Sequence, residues 1–143
     1  ILFRLVGSEM CIRDRDYHYN ETEELFFQIE GDILIKTQQD GVMVEIPVKE
    51  GEMFLLPARI PHSPIRSNGS IGLVIERKRQ VNHKDGLLWF SDKANELLYE
   101  EYFHLQNIEK DFLPVFKKFY SSQELRTCPV SGEIMEADPR FID

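Results

Sequence analysis

Three residues in the first half of the chain, His18, Glu24 and His62, are of the types that hold a transition metal through two imidazole nitrogens and one carboxylate. Such a set leaves coordination positions open, which suits Fe(II) in an enzyme that must bind both a substrate and O2. Zinc favours more nitrogen or sulfur ligands and has no one-electron redox chemistry, so it fits the set less well. His18 and Glu24 are six residues apart, an even number, so on an extended strand both point to one face while Glu23 points to the other. Each residue alone reads as a hydrogen-bonding histidine or a solvated strand charge. The metal reading gains from His62 following a stretch that holds Pro57 and Pro61, with Pro64 just beyond, where a stiff loop could fold it onto the other two.

The elements that must position these groups are short and β-rich. Runs at 24–30, 33–38, 42–48, 52–56 and 71–78 are separated by Gly31-Asp32, Asp40-Gly41, Glu50-Gly51 and Ser67-Asn68-Gly69-Ser70, each with the Gly or Asn that tight turns favour. This pattern predicts an all-β sandwich or barrel joined by hairpins. The proline-crowded stretch is expected to be a loop and not a central strand, because each proline removes a ladder donor. Residues 80–95 read as polar and turn-rich, 96–105 as a sheet edge, and Leu113 to Tyr120 as helical. Ser121-Ser122-Gln123-Glu124 offers a capping-box start for one short helix. The expected organisation is one domain, with residues 15–80 as the barrel core and 81–143 as a partly helical extension. Residues 1–14 follow no periodic pattern and are expected to be a non-native leader, and Arg4 and Glu9 interrupt any signal-peptide-like apolar run.

Composition narrows the partners. The chain of 143 residues carries 25 acidic and 17 basic side chains, a net charge of −8, with no Lys/Arg-rich run, which argues against a nucleic-acid partner. No apolar run reaches the roughly 18 to 20 residues of a membrane-spanning helix. Cys11 and Cys128 are too few for a disulfide framework and read as free thiols in a reducing, cytoplasmic setting.

The pattern His18-x-Asn20-x3-Glu24-x6-Gly31, followed by Gly51-x5-Pro57-x4-His62, resembles the two motifs of the cupins. That resemblance implies a double-stranded β-helix, or jelly-roll barrel, with Asn20 standing where many cupins carry a further histidine. Longer matches sharpen it: Asp16-Tyr17-His18, Glu23 to Gln28, Phe54 to Pro64, Gly72 to Arg77, Asp85 to Trp89, Phe116 to Tyr120 and Glu124 to Cys128. Over residues 16 to 140 the chain is similar to the 3-hydroxyanthranilate 3,4-dioxygenase family. The resemblance implies an Fe(II)-dependent ring-cleaving enzyme of the kynurenine pathway. It would convert 3-hydroxyanthranilate and O2 to 2-amino-3-carboxymuconate semialdehyde, which leads to quinolinate and NAD biosynthesis. It also implies His18, Glu24 and His62 as metal ligands, Arg66 as partner of the substrate carboxylate, and Glu76, with Glu24, as hydrogen-bonding partners of the substrate. Without the family match, Glu76 reads as an ion-pair partner for Arg59 or Arg77.

The chain departs from the family in two places. An arginine four residues before the first histidine, close to the O2 position, is here Asp14, flanked by Arg13 and Arg15. A second, rubredoxin-like site built from two Cys-x-x-Cys pairs falls on Ser91 and Ala94 and on Cys128 and Ser131, so no second metal is expected, one thiolate being too few. Relatives suggest a homodimer. The competing readings are a metal-binding cupin with a non-oxidative role, as a metabolite binder or isomerase, and an inactive fragment.

Overall fold

Strands such as Glu24–Glu30, Ile33–Gln39 and Ile71–Glu76 alternate buried and less buried side chains, turning one face into the space between two sheets. The computed structural model describes residues 1–7 and 15–142. The strands are β1 (Leu2–Gly7), β2 (Asp16–Tyr19), β3 (Glu24–Glu30), β4 (Ile33–Gln39), β5 (Val42–Val48) and β6 (Met53–Leu56). They continue with β7 (His62–Arg66), β8 (Ile71–Glu76), β9 (Asp85–Phe90) and β10 (Leu97–Phe103), followed by helix α1 (Ile108–Ser121). One sheet has the order β1-β8-β3-β6 and the other β10-β9-β2-β7-β4-β5, with antiparallel ladders in both. The crossing of strands between two facing sheets is the expected jelly roll. Among the described residues no helix is long and apolar enough to cross a membrane.

Phe26, Leu56 and Val74 from the smaller sheet meet Ile33, Ile35 and Val48 from the larger one. Each such side chain contributes roughly 1.5 to 3 kcal/mol by leaving water. The expected turns are where the chain reverses. Between Gln39 and Val42, which are paired, only Asp40 and Gly41 remain, with φ of 51° and 79°. Positive φ at both central residues is the two-residue turn whose twist matches the flanking strands, which is why Asp-Gly stands there.

The proline-rich stretch is loop over residues 57–61, as expected, but strand β7 corrects that reading for Pro64. It lies between β2 and β4, with Pro64 opposite Ile35. Its ladder with β4 runs over all five residues, but its ladder with β2 is the single pair His18 opposite His62, so on the β2 side the strand is largely unpaired, like the edges that tolerate proline. Strand β9 corrects the polar, turn-rich reading of 80–95. Its residues Asp85 to Trp89 are buried on both faces, so no polar alternation marks them as a strand. Because β9 and β10 belong to the larger sheet, the barrel continues past residue 80. At the other end, β1 pairs over six residues with β8. The remainder of the expected leader, residues 8–14, lies outside the described residues, as do Cys11 and Asp14.

Helix α1 begins at Asn107, whose side chain accepts a hydrogen bond from the Lys110 amide, with Glu109 and Asp111 in the first turn where the helix dipole favours acids. It therefore starts five residues before the expected helical stretch. Ser122 ends it, so the expected capping box does not open a helix; the Ser122 hydroxyl accepts from the Leu125 amide and shapes a turn. Inward-facing Leu87 and Trp89 of β9 pack on Val115, Phe116, Phe119 and Tyr120. The Trp89 and Phe119 rings stack at 4.2 Å, and the indole N–H donates to the Tyr120 hydroxyl. This second core fixes α1 over the β9 end of the sheet face that carries His18 and His62.

Candidate metal centre and its cavity

Directly paired residues of neighbouring strands point to the same side of a sheet. His18 on β2 and His62 on β7 form such a pair, with ring centroids 5.5 Å apart. Glu24, the first residue of β3, comes from the opposite sheet and faces them across the barrel. One nitrogen of each histidine and a Glu24 oxygen lie within 4.8 Å of one another. The expectation that His18, Glu24 and His62 converge is met in position, but not by even spacing along one strand. The chain turns between His18 and Glu24, and the two sit on different sheets. Glu23 does point away, pairing with Arg77 at 2.6 Å on the exterior. His62 is the first residue of a strand, buried against Phe26, and is not on a loop.

Each imidazole keeps one nitrogen toward Glu24 and has the other tied back. The His62 Nδ1 donates to the Ile60 carbonyl at 3.0 Å, while Nε2 is 3.1 Å from Glu24 Oε2. The His18 Nδ1 is 3.9 Å from Glu24 Oε1, while Nε2 is 2.6 Å from Asp85 Oδ2. Asn20, at the position of the absent histidine, donates to Glu24 Oε1 at 3.1 Å. Burial works to raise the Glu24 pKa, but the charge and hydrogen bond of His62, with help from His18 and Asn20, hold it well below the usual carboxylate range. Burial likewise works to lower the His62 pKa, and Glu24 more than offsets this and raises it. Two imidazoles and one carboxylate with their donor atoms gathered, buried and individually anchored are a donor set that fits a divalent transition metal.

Glu76 on β8 lies directly opposite Glu24 on β3, and both are under 5% exposed. Like charges placed so repel, and each has its own compensation. Glu24 has the histidines; Glu76 has Arg79 at 2.8 Å and Arg4 at 3.6 Å. Arg77 and Arg59, the partners considered from sequence, do not take this role. Arg79 also grips Asp85 with two parallel bonds of 2.6 and 2.7 Å. Burial raises the Asp85 pKa, and the bonds from Arg79 and His18 outweigh it, leaving the carboxyl below its ordinary value.

His18, Glu24, His62 and Glu76 line a cavity of about 170 Å³ between the sheets, walled by Phe26, Val74 and Phe112. Its size is comparable to the roughly 150 Å³ cavities that accept one benzene ring. Arg66, four residues along β7 from His62, enters the same cavity and is 9% exposed. Its Nη1 is 3.4 Å from Gln28 Oε1, and both side chains sit where Gly72 has no side chain. A Cβ on Gly72 would lie 2.3 Å from Gln28 Oε1 and 2.8 Å from Arg66 Nη1. Asp85, Arg79, Gln28 and Gly72 were not singled out from sequence as site residues. Their roles depend on which strands become neighbours; Gln28, Gly72 and Asp85 lie in segments that resemble the family, and Arg79 lies outside them. Elsewhere, Cys128 is buried and its sulfur accepts from the Ser131 amide at 3.5 Å.

Two facing antiparallel sheets with this strand order, carrying two histidines and a glutamate inside one end, define a cupin. A family model described as 3-hydroxyanthranilic acid dioxygenase matches residues 5–120. The chain belongs to that family. It is 53% identical over 126 residues to the 3-hydroxyanthranilate 3,4-dioxygenase of Xanthomonas euvesicatoria pv. vesicatoria, covering 88% of this chain and 72% of that one. The enzyme of the same name from Danio rerio is 45% identical over 113 residues, 79% of this chain and 39% of the fish protein. A solved cupin-2 domain protein of Shewanella frigidimarina aligns with 52% of this chain and 69% of its own, at 23% identity and a TM-score of 0.39. That likeness is too loose to add to the topology itself.

Proposed function

We propose that this chain opens the ring of 3-hydroxyanthranilate with O2 at an Fe(II) ion held by His18, Glu24 and His62. The observation that carries this reading is one ring-sized cavity with the three donors at one end and a buried arginine at the other. Bound there, Fe(II) would supply Lewis acidity toward the vicinal hydroxyl and amino groups of the substrate and the redox chemistry with O2.

The chain's own residues bind and orient. Arg66 pairs with the substrate carboxylate through its planar fork of donors, an interaction of about 2 kcal/mol. Gln28 and the bare backbone of Gly72 set where that fork can sit. Glu76, oriented by Arg79, accepts a hydrogen bond from the substrate, and Glu24, itself one of the three donors, does the same for its hydroxyl. Phe26, Phe112 and Val74 exclude water from the ring faces. Family membership supports this chemistry over a non-oxidative cupin. The product, 2-amino-3-carboxymuconate semialdehyde, would feed quinolinate and NAD biosynthesis, with the enzyme in the cytoplasm.

The reading includes a homodimer. The outer face of the smaller sheet carries two apolar cross-strand rows, Phe3-Ile75-Leu25-Leu55 and Leu5-Leu73-Phe27-Met53. Phe3, Leu5, Met53 and Leu55 are each more than half exposed, a contiguous patch of the kind monomers rarely leave open. A second copy of this face is its self-complementary partner.

The test is anaerobic loading with Fe(II), addition of 3-hydroxyanthranilate, then admission of O2. Growth of the semialdehyde absorbance with one O2 consumed per substrate supports the reading. Folded, iron-loaded protein that consumes no O2 with this substrate rules it out.

A further inference from the structure

The two histidines face Glu24 in the same way but are anchored by different means. His62 is held by a main-chain carbonyl, that of Ile60, which any sequence would supply. His18 is held by a side chain: its Nε2 lies 2.6 Å from Asp85 Oδ2, and Asp85 is 1% exposed. Asp85 is in turn gripped by both Nε and Nη2 of Arg79, whose remaining Nη1 donates to Glu76 at 2.8 Å. Together Glu76, Arg79, Asp85 and His18 form an unbroken hydrogen-bonded chain from one side of the cavity to the other. A buried aspartate and arginine are costly to desolvate, and well-packed apolar residues often stabilise a fold as well or better. The pair therefore calls for a reason other than stability.

We infer that Asp85, braced by Arg79, is the positioning residue of the metal centre: it accepts the Nε2 proton of His18 and so leaves Nδ1 as the nitrogen presented to the metal. The inference rests on the metal reading above and extends it to residues outside the donor set. A carboxylate bound to the far nitrogen of a ligating imidazole fixes the ring's tautomer and rotation and makes the near nitrogen a better donor. Because the same arginine also holds Glu76, one cation sets the position of both the His18 ring and the carboxylate facing the substrate.

Co(II) is a suitable probe, since its visible spectrum reports ligand type and geometry without turnover. Its affinity is measured by competition with a chromophoric chelator for the wild type, Asp85→Ala and Asp85→Asn, each checked by circular dichroism. The expected result is a loss of Co(II) affinity of roughly 10- to 100-fold for Asp85→Ala, with altered visible bands. Asp85→Asn keeps an oxygen that can accept from Nε2 and should recover part of both, and it decides the matter alone should Asp85→Ala not fold. Wild-type affinity and spectrum in the folded variants overturn the brace while leaving the metal site standing. Failure of the wild type to bind Co(II) overturns the metal reading and the brace with it.

Discussion

The two ends of the cavity are built on different terms. At the metal end, three donors come from β2, β3 and β7 on two sheets, and each is anchored by a second group. At the arginine end, one guanidinium is seated by a glutamine and by the absence of a side chain at Gly72. The metal end thus depends on the identity of its groups, and the arginine end on fit. Substitutions should separate the two by what they change.

The largest effect is expected from His62→Ala. It removes a donor and leaves Glu24 buried beside a void, so metal retention should be lost and stability should fall by roughly 3 to 5 kcal/mol, as for breaking other buried pairs. Metal content after gel filtration and chemical unfolding measure the two losses. His62→Gln, closer in volume, should lose the metal with a smaller stability cost. Retention of a full metal equivalent by either variant would remove His62 from the centre.

At the other end, Arg66→Ala should leave the metal bound and raise KM by about thirtyfold, the equivalent of about 2 kcal/mol. A kcat loss at unchanged KM would mean that Arg66 acts on the reaction and not on binding, and the contrast between the ends would fail. Gly72→Ala touches the same group indirectly. Its methyl must displace Gln28 and Arg66, and a KM increase of roughly three- to tenfold with unaltered metal affinity is expected, of order 1 kcal/mol. If KM for 3-hydroxyanthranilate does not move, the seat at Gly72 has no bearing on the substrate.

Smallest of all should be Gly41→Ala, outside the cavity. A side chain at φ of 79° costs about 1 kcal/mol of stability and should leave both KM and metal affinity alone. A drop in activity at matched folded fraction would show that the β4–β5 hairpin communicates with the site.

The same contrast appears in what the amino-acid sequence reveals. Strands β3 to β6 and β8 were legible because glycines and Asp40 with positive φ bound them and their residues alternate or run apolar between those turns. Strand β7 was hidden by Pro64, whose tolerance depends on how little of β2 lies beside it. Strand β9 was hidden because it is covered on one side by α1 and buried on the other, so it shows no period. In the site, His18, Glu24 and His62 stood out by type and by motif. The even spacing used to group the first two had no bearing, since a turn and a change of sheet intervene. Asp85 and Arg79 were silent for a physical reason: an aspartate gains meaning as an imidazole's partner only once β9 is hydrogen-bonded to β2.

The proposed function stands or falls on whether His18, Glu24 and His62 together hold one iron ion. Iron K-edge X-ray absorption of the Fe(II)-loaded protein tests it most directly. The expected result is a first shell of nitrogen and oxygen only, with outer-shell scattering from two imidazoles that falls to one in the His62→Gln protein when iron is supplied in excess. A sulfur scatterer, which would point to a cysteine thiolate, or a spectrum that His62→Gln leaves unchanged, would contradict it.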